Sequence, residues 1–208
     1  FYWKERKEPP YTQPPTLEEY PLVAVLVPCF NEQDNADETI SHALKLNYPN
    51  FEVIAINDGS SDNTAEILNA LALKYDKLRV VHLAENQGKA MGLQAGSLMT
   101  DAEFLIGIDG DALLDPHAAK WMIRHFLNNP TVAAVTGNPR IRTRSTLLGR
   151  IQVGEFSSIV GMIKRAQRTF GRLFTVSGVI TAFRKSAVHE VGYWSPNMLT
   201  EDIDITWK

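Results

Sequence analysis

Thiols, long apolar runs and a strong net charge are all scarce or missing. The 208 residues include a single cysteine, Cys29. That excludes a disulfide framework and a cysteine metal site, and it fits a reducing compartment. Cys29 follows the apolar run Leu22 to Val27 and reads as a small buried residue. No apolar run approaches the roughly 18–20 residues of a membrane span. Net charge is −3, which does not read as a nucleic-acid binder. The five histidines (His42, His82, His117, His125, His189) are scattered, without metal-ligand spacing. The first apolar run leads into neither G-x-G-x-x-G nor G-x-x-x-x-G-K-S/T, which argues against a dinucleotide oxidoreductase and a P-loop NTPase. There is no internal repeat.

What is present is ordinary for one folded domain: 44% apolar and 22% charged residues, in a chain long enough for a sizeable α/β core. Residues 1–20 carry Pro9, Pro10, Pro14 and Pro15 and read as an extended arm or linker. The arm opens Phe1-Tyr2-Trp3-Lys4, aromatics before charges, as at the water-facing end of a membrane helix or on a surface arm. The chain begins at Phe1 rather than Met and stops at Lys208 inside a helix-like stretch, so we expect a piece of a longer protein. Charge is uneven. Between Asn138 and Arg172 stand eight Lys/Arg and one acid, Glu155, about +7, which leaves about −10 elsewhere.

From residue 22 the pattern alternates. Strands are expected at Leu22–Val27, Phe51–Ile56, Leu78–Leu83, Glu103–Ile108 and Val132–Thr136. Helices are expected near residues 36–46, after Asn63 (with Glu66 at capping-box spacing), and near 90–99 and 117–127. Short connections between alternating elements call for a Rossmann-like, parallel or mostly parallel sheet flanked by helices. The rhythm then changes. A helix is expected near 147–167, with Phe156, Ile159, Val160 and Ile163 on one apolar face and a basic end. It either packs on the core or lies against anionic lipid. Phe174–Phe183 reads as a strand interrupted at Ser177-Gly178, then comes a short helix over Lys185–Val191, then three carboxylates opening a last helix (Glu201, Asp202, Asp204).

In such sheets ligands bind beyond the carboxyl ends of the strands. Asn31/Glu32, Asp58, Lys89 and Asp109/Asp111 all fall there. The run Ile106-Gly107-Ile108-Asp109-Gly110-Asp111 ends an apolar strand in two carboxylates on one face. They are either a hard-oxygen site for Mg²⁺ or Mn²⁺ that would hold a diphosphate, or a solvated turn.

Taken together, Val27-Pro28-Cys29-Phe30-Asn31-Glu32, Asn57-Asp58-Gly59-Ser60-Ser61-Asp62, Asn86-Gln87-Gly88-Lys89-Ala90, Asp109-Gly110-Asp111, Ser177-Gly178 with Phe183-Arg184-Lys185-Ser186-Ala187, and Thr200-Glu201-Asp202 resemble the family-2, GT-A inverting glycosyltransferases. More narrowly, the chain is similar to processive bacterial polysaccharide synthases, above all those that build poly-β-1,6-N-acetylglucosamine. The resemblance covers about residues 22–208, with residues 21–208 as the catalytic domain. The resemblance implies that the family's Gln-x-x-Arg-Trp motif would be found downstream of Lys208. The resemblance implies transfer of N-acetylglucosamine from UDP-N-acetylglucosamine to a growing β-linked exopolysaccharide of biofilms, or, in a non-processive relative, of one sugar to a lipid or short glycan. It assigns Asp111 and Asp109 to the metal, with Asp109 also near the ribose, and Gly88 and Lys89 beside the nucleotide. It assigns Asp58 to the uracil N3–H, with Pro28 and Glu32 lining the base pocket, Ser177, Gly178 and Glu201 to the sugar or acceptor, and Asp202 to the acceptor hydroxyl as general base. The partners implied are the growing glycan, the cytoplasmic face of a bacterial inner membrane through other segments, and a small membrane subunit. A nucleotidyltransferase would place a Gly- and Arg-rich loop after the first strand, where Pro28-Cys29-Phe30-Asn31-Glu32 stands instead.

Overall fold

The computed structural model describes residues 13–141, 151–154, 162–169, 173–198 and 200–208. Six strands form one sheet in the order β3-β2-β1-β4-β6-β5. They are β1 (Val23–Cys29), β2 (Phe51–Asp58), β3 (Leu78–Leu83), β4 (Phe104–Ile108), β5 (Ala134–Thr136) and β6 (Ile180–Arg184). The first four pair in parallel. β6 runs antiparallel to β4 and to β5. The chain order suggests β5 beside β4. Instead β6 is inserted between them, with Leu105 opposite Phe183 and Ala134 opposite Phe183 on its other side. Ala182 and Phe183 are buried there, so the antiparallel strand covers the flank of β4 that would otherwise be a sheet edge.

β1 is central. Its Val-Ala-Val-Leu-Val run is buried on both faces because helices cover both. On one face Val23, Val25, Val27, Val53, Phe104 and Ile106 pack with α1 (Ala36–Ala43), α2 (Thr64–Lys74) and α4 (Ala118–Asn128). Phe104 stacks on Phe126 at 4.8 Å between ring centroids, and the Arg184 guanidinium lies 5.0 Å from the Phe104 centroid. On the other face Ala24, Leu26, Ile54, Ile56 and Leu105 meet α3 (Lys89–Leu98), together with Val188 of α6 (Lys185–Glu190) and Ile205 of α7 (Glu201–Trp207). α3 approaches closely through Gly92 and Gly96. A Cβ at Gly96 would stand 2.9 Å from Ile56 Cδ1.

The register defines a cleft. β1 pairs with β2 as far as Cys29–Asn57 but with β4 only as far as Leu26–Gly107. Beyond that point β1 and β4 separate, at the place where the strand order reverses.

Several expected bounds shift. The strand expected over Phe174–Phe183 is β6 alone, and Ser177-Gly178 lie in the loop before it. The capping box at Asn63 is not formed. Asp62 Oδ1 accepts the Thr64 N–H instead, at 3.0 Å. Of the helix expected near 147–167, residues 151–154 are helical, and Met162 and Ile163 form a π-helical start to α5 (Lys164–Thr169); residues 147–150 and 155–161, with Phe156, Ile159 and Val160, lie outside the described residues. In the Pro-rich arm, residues 13–20 have no regular structure, yet Leu17 is buried and Tyr20 packs edge-on against Tyr48.

Phe126→Ala would remove the stack on Phe104 and leave a cavity under β4. We expect a loss of about 3–5 kcal/mol, read by denaturant unfolding as a lower midpoint at unchanged slope.

Candidate active site at the strand carboxyl ends

The loops after β1 and β2 are zipped together. Asn31 adopts a left-handed backbone (φ 54°). Its N–H donates to Ser60 Oγ at 3.0 Å, and its side-chain oxygen accepts the Ser61 N–H at 2.9 Å. The Glu32 N–H donates to Thr64 Oγ1 at 2.8 Å, and that hydroxyl donates to Asp62 Oδ1 at 2.5 Å. The Gln33 N–H takes the other Asp62 oxygen at 3.1 Å. For the Asp62 carboxyl, desolvation acts upward, but the hydrogen bonds from the Thr64 hydroxyl and the backbone N–H groups of Thr64, Gln33 and Asp62 outweigh it. The group is held below its ordinary 3.8. Glu32 is thereby set at the cleft mouth, where its Oε2 accepts from Asn35 Nδ2 at 2.8 Å.

Asp58 ends β2 and is buried. One oxygen accepts the Gln87 N–H and the other the Gly88 N–H, each at 2.8 Å. A carboxylate offers about four lone-pair sites, so each oxygen keeps room for one more donor. Asp58 is therefore an anchor for the third loop as well as a possible ligand. Two glycines make that anchor feasible. Gly59 has φ +63°, and a Cβ there would lie 2.4 Å from the Glu85 carbonyl carbon. Gly88 has φ 86° and ψ 162°, a region essentially restricted to glycine. It turns the chain into α3 with Lys89 as the first helical residue.

Lys89 gathers the remaining motifs. Its Nζ pairs closely with Asp109 Oδ1, donates to the Gly178 carbonyl at 2.6 Å, and lies 3.4 Å from Glu201 Oε1. The Asp109 N–H donates to the Val179 carbonyl at 3.2 Å, tying β4's end to the loop before β6. Gly110 is buried against the first loop; a Cβ there would meet Pro28 O at 3.0 Å and Glu32 Cγ at 3.1 Å. Asp111, the next residue, is exposed. A Cβ at Gly178 would lie 3.4 Å from Asp202 Oδ2, so the Asp202 carboxylate rests over a bare backbone. Ser177 is fixed by its N–H donating to Thr136 Oγ1 at 2.9 Å and its carbonyl accepting from Thr181 Oγ1 at 2.7 Å.

The structure thus brings together Pro28, Glu32, Asp109 and Gly110 on one side and Lys89, Asp109, Gly178, Glu201 and Asp202 on the other. Asp58 and Gly88 sit at the base of the Lys89 helix. Sequence reading missed Thr64, Thr136 and Thr181, whose hydroxyls do the bonding, because isolated threonines carry no local signal. It also missed Lys164 as a neighbour of the site. Burial pulls the Lys164 ammonium down from its ordinary value, while the negative charge of Asp202 acts upward. Cys29 is a thiol at neutral pH: burial, then the Glu32 charge, push it up to about 12. A cavity of about 870 Å³ adjoins the site along β5 and β6, lined among others by Thr136, Lys164, Val176, Phe183 and Ile205. None of the converging carboxylates lines it.

Among the described residues no cluster of three or more His, Cys, Asp or Glu could cage a metal. Two carboxylates at a cleft mouth, one of them exposed, fit instead a divalent ion that takes most of its ligands from water and a bound diphosphate.

The family model for glycosyl transferase family 2 matches residues 24–192. The chain belongs to glycosyl transferase family 2. Within that family it is 46% identical over 186 residues to a poly-β-1,6-N-acetyl-D-glucosamine synthase of Staphylococcus epidermidis, covering 89% of this chain and 45% of the relative. It is 44% identical over 192 residues to the synthase of the same name from Staphylococcus aureus strain MSSA476, covering 92% and 46%. The chain therefore spans about half the length of these curated relatives. Among solved structures, the mannosyltransferase PcManGT from Pyrobaculum calidifontis, in complex with GDP-Man and Mn²⁺, superposes with a TM-score of 0.74 at 24% identity, over 98% of this chain and 56% of that one. Staphylococcus aureus TarS in complex with UDP-GlcNAc gives 0.62 at 19% identity, over 89% and 52%. Both likenesses bear on the fold, a GT-A sheet flanked by helices.

The lowered Asp62 carboxyl contributes stability that is complete above its unfolded value and lost as pH falls through the lower folded value. Asp62→Asn should therefore flatten the acid side of the stability–pH curve below about pH 4, measured by urea unfolding at stepped pH.

Proposed function

We propose that this chain is the donor-binding and catalytic domain of a synthase that transfers N-acetylglucosamine from UDP-N-acetylglucosamine to a growing β-1,6-linked glycan, with inversion. One observation carries the reading. A single ammonium, that of Lys89, holds Asp109 of the Asp-x-Asp motif and Glu201 of the Thr-Glu-Asp motif together, with Asp202 beside them. A site with that arrangement can hold a leaving diphosphate and a proton acceptor on either side of one sugar. The specific sugar and linkage are carried over from the synthases 46% and 44% identical to this chain.

In this reading the uridine enters the gap between β1 and β4, against Pro28 and Glu32, with the second lone pairs of Asp58 facing its imide N–H. Asp111 and Asp109 are the residues that would hold a divalent ion, Mg²⁺ or Mn²⁺, and such an ion would supply charge neutralisation at the diphosphate. Ser177 and Gly178 border the sugar. Asp202 takes the proton of the acceptor hydroxyl as that oxygen attacks the anomeric carbon. Proximity supplies much of what a weakly basic carboxylate lacks. Direct attack needs no carboxylate nucleophile and turns an α-linked donor into a β-linked product. No helix among the described residues is long and apolar enough to cross a membrane. Attachment to the cytoplasmic face of an inner membrane, and any small membrane subunit, would involve other segments.

Asp202→Asn should leave UDP-N-acetylglucosamine affinity within about twofold and cut turnover by about 10²–10⁴, the usual share of a general base. Turnover of labelled UDP-sugars, with linkage analysis of the product, is the measurement. Wild-type turnover in that variant removes Asp202 as base, and single additions in place of polymer favour the non-processive reaction. Asp111→Ala should weaken UDP binding in the presence of Mg²⁺ and leave it unaltered in EDTA, by calorimetry.

A further inference from the structure

An ammonium has three protons to donate and no lone pair. In this structure two of them go to the protein, to Asp109 Oδ1 and to the Gly178 carbonyl at 2.6 Å, and the charge also pairs with Glu201 Oε1 at 3.4 Å. The side chain is about one-third exposed, as is Asp109, and Glu201 is less so, at 17%. The ammonium is thus bound on two sides and charge-paired on a third by groups of the protein itself.

The root of Lys89 is rigid. It is the first residue of α3, behind a Gly88 whose N–H is bound to Asp58. α3 itself is seated through Gly92 on Pro28 and through Gly96 on Ile56. The groups that Lys89 reaches lie on the loop after β4, on the loop before β6 and on α7. α7 has other ties at its far end: Thr206 Oγ1 accepts the Val176 N–H at 3.1 Å, and Trp207 Nε1 donates to the Phe174 carbonyl at 2.9 Å. At its near end Glu201 is tied by Lys89. That near end carries Asp202, whose Oδ2 lies 3.4 Å from where a Gly178 side chain would begin. Without the ammonium, Asp109 and Glu201 would also face each other as like charges, which push apart.

We propose that Lys89 is a positioning residue: it clamps Glu201 and Gly178 to Asp109 and so fixes Asp202 over the acceptor position, instead of binding the diphosphate. The inference rests on the reading of Asp202 as base. It makes Glu201 a structural partner of Lys89, with no contact to substrate needed.

The test compares Lys89→Met, Lys89→Arg, Glu201→Gln and the Lys89→Met/Glu201→Gln double variant. The expected result is a split. kcat falls about 100-fold in Lys89→Met, the scale of a misplaced reacting group, while KM for UDP-N-acetylglucosamine and calorimetric UDP affinity in EDTA stay within about twofold. The double variant is no slower than the slower single one, because the same contact cannot be lost twice. Lys89→Arg, which keeps a cation in reach, recovers part of the rate. Backbone amide exchange rises across α7 in Lys89→Met and not across β1 or β2. A rise in KM and UDP dissociation constant of about tenfold or more with kcat unchanged would make Lys89 a phosphate ligand and overturn the proposal. So would unaltered exchange in α7, or additive effects in the double variant. If the wild-type protein transfers no sugar from any UDP-sugar, the functional reading fails. The UDP-affinity and amide-exchange results then still decide whether the clamp exists.

Discussion

Two neighbouring parallel strands stop pairing three residues apart on a shared partner, and the site depends on that mismatch. β1 stays bonded to β2 through Cys29 but leaves β4 after Leu26. Pro28, which has no N–H to offer, falls in the stretch where β1 has only one neighbour. Backbone is brought unusually near beside that gap and between the next two loops. Gly110 presses on the Pro28 carbonyl and Glu32, and Gly59 on the Glu85–Asn86 peptide. The polar residues follow from these approaches, since loops held so close must bond to one another or leave buried groups unpaired. Asp58 serves two such N–H groups and Asp62 two more.

The four parallel strands and their helices were legible because apolar runs of strand length alternated with helical ones and ended in Asn, Asp, Gly and Ser. The convergence of the loops followed from topology alone. The antiparallel insertion of β6 was not legible, since the run around Ile180 states that a strand forms but not which strand receives it. Nor could local pattern show what Lys89 does. Asp109 and Gly178 are 20 and 89 residues away along the chain, and a lysine at a helix start looks the same whether it greets solvent or a carboxylate. Asp58 had the opposite fate. Asp58 closes β2 just before a Gly-Ser loop, yet its carboxylate is buried and holds a different loop.

Charge is distributed to match. Acids gather around Lys89 and the loops beside it: Asp109, Glu201 and Asp202 near the ammonium, Glu32 on the first loop, Asp58 buried under the third. Lys89 stands among them and Lys164 at their margin. The basic stretch from Asn138 to Arg172 thus belongs to the same region of sequence as the cation that feels Asp202.

The zipped loops after β1 and β2 have a consequence for how the two halves of the cleft yield. On the Glu32 side, side chains and main-chain amides interlock at several points between residues 31–33 and 60–64, so lengthening either loop by a residue would unfasten the other. Their lengths are coupled, and that wall moves as one block. The opposite wall hangs on the long, four-carbon stem of one lysine and on a few single bonds. The two halves of the cleft are therefore fastened differently: the Glu32 half by many short bonds between two loops, the Asp202 half through one ammonium rooted in a helix.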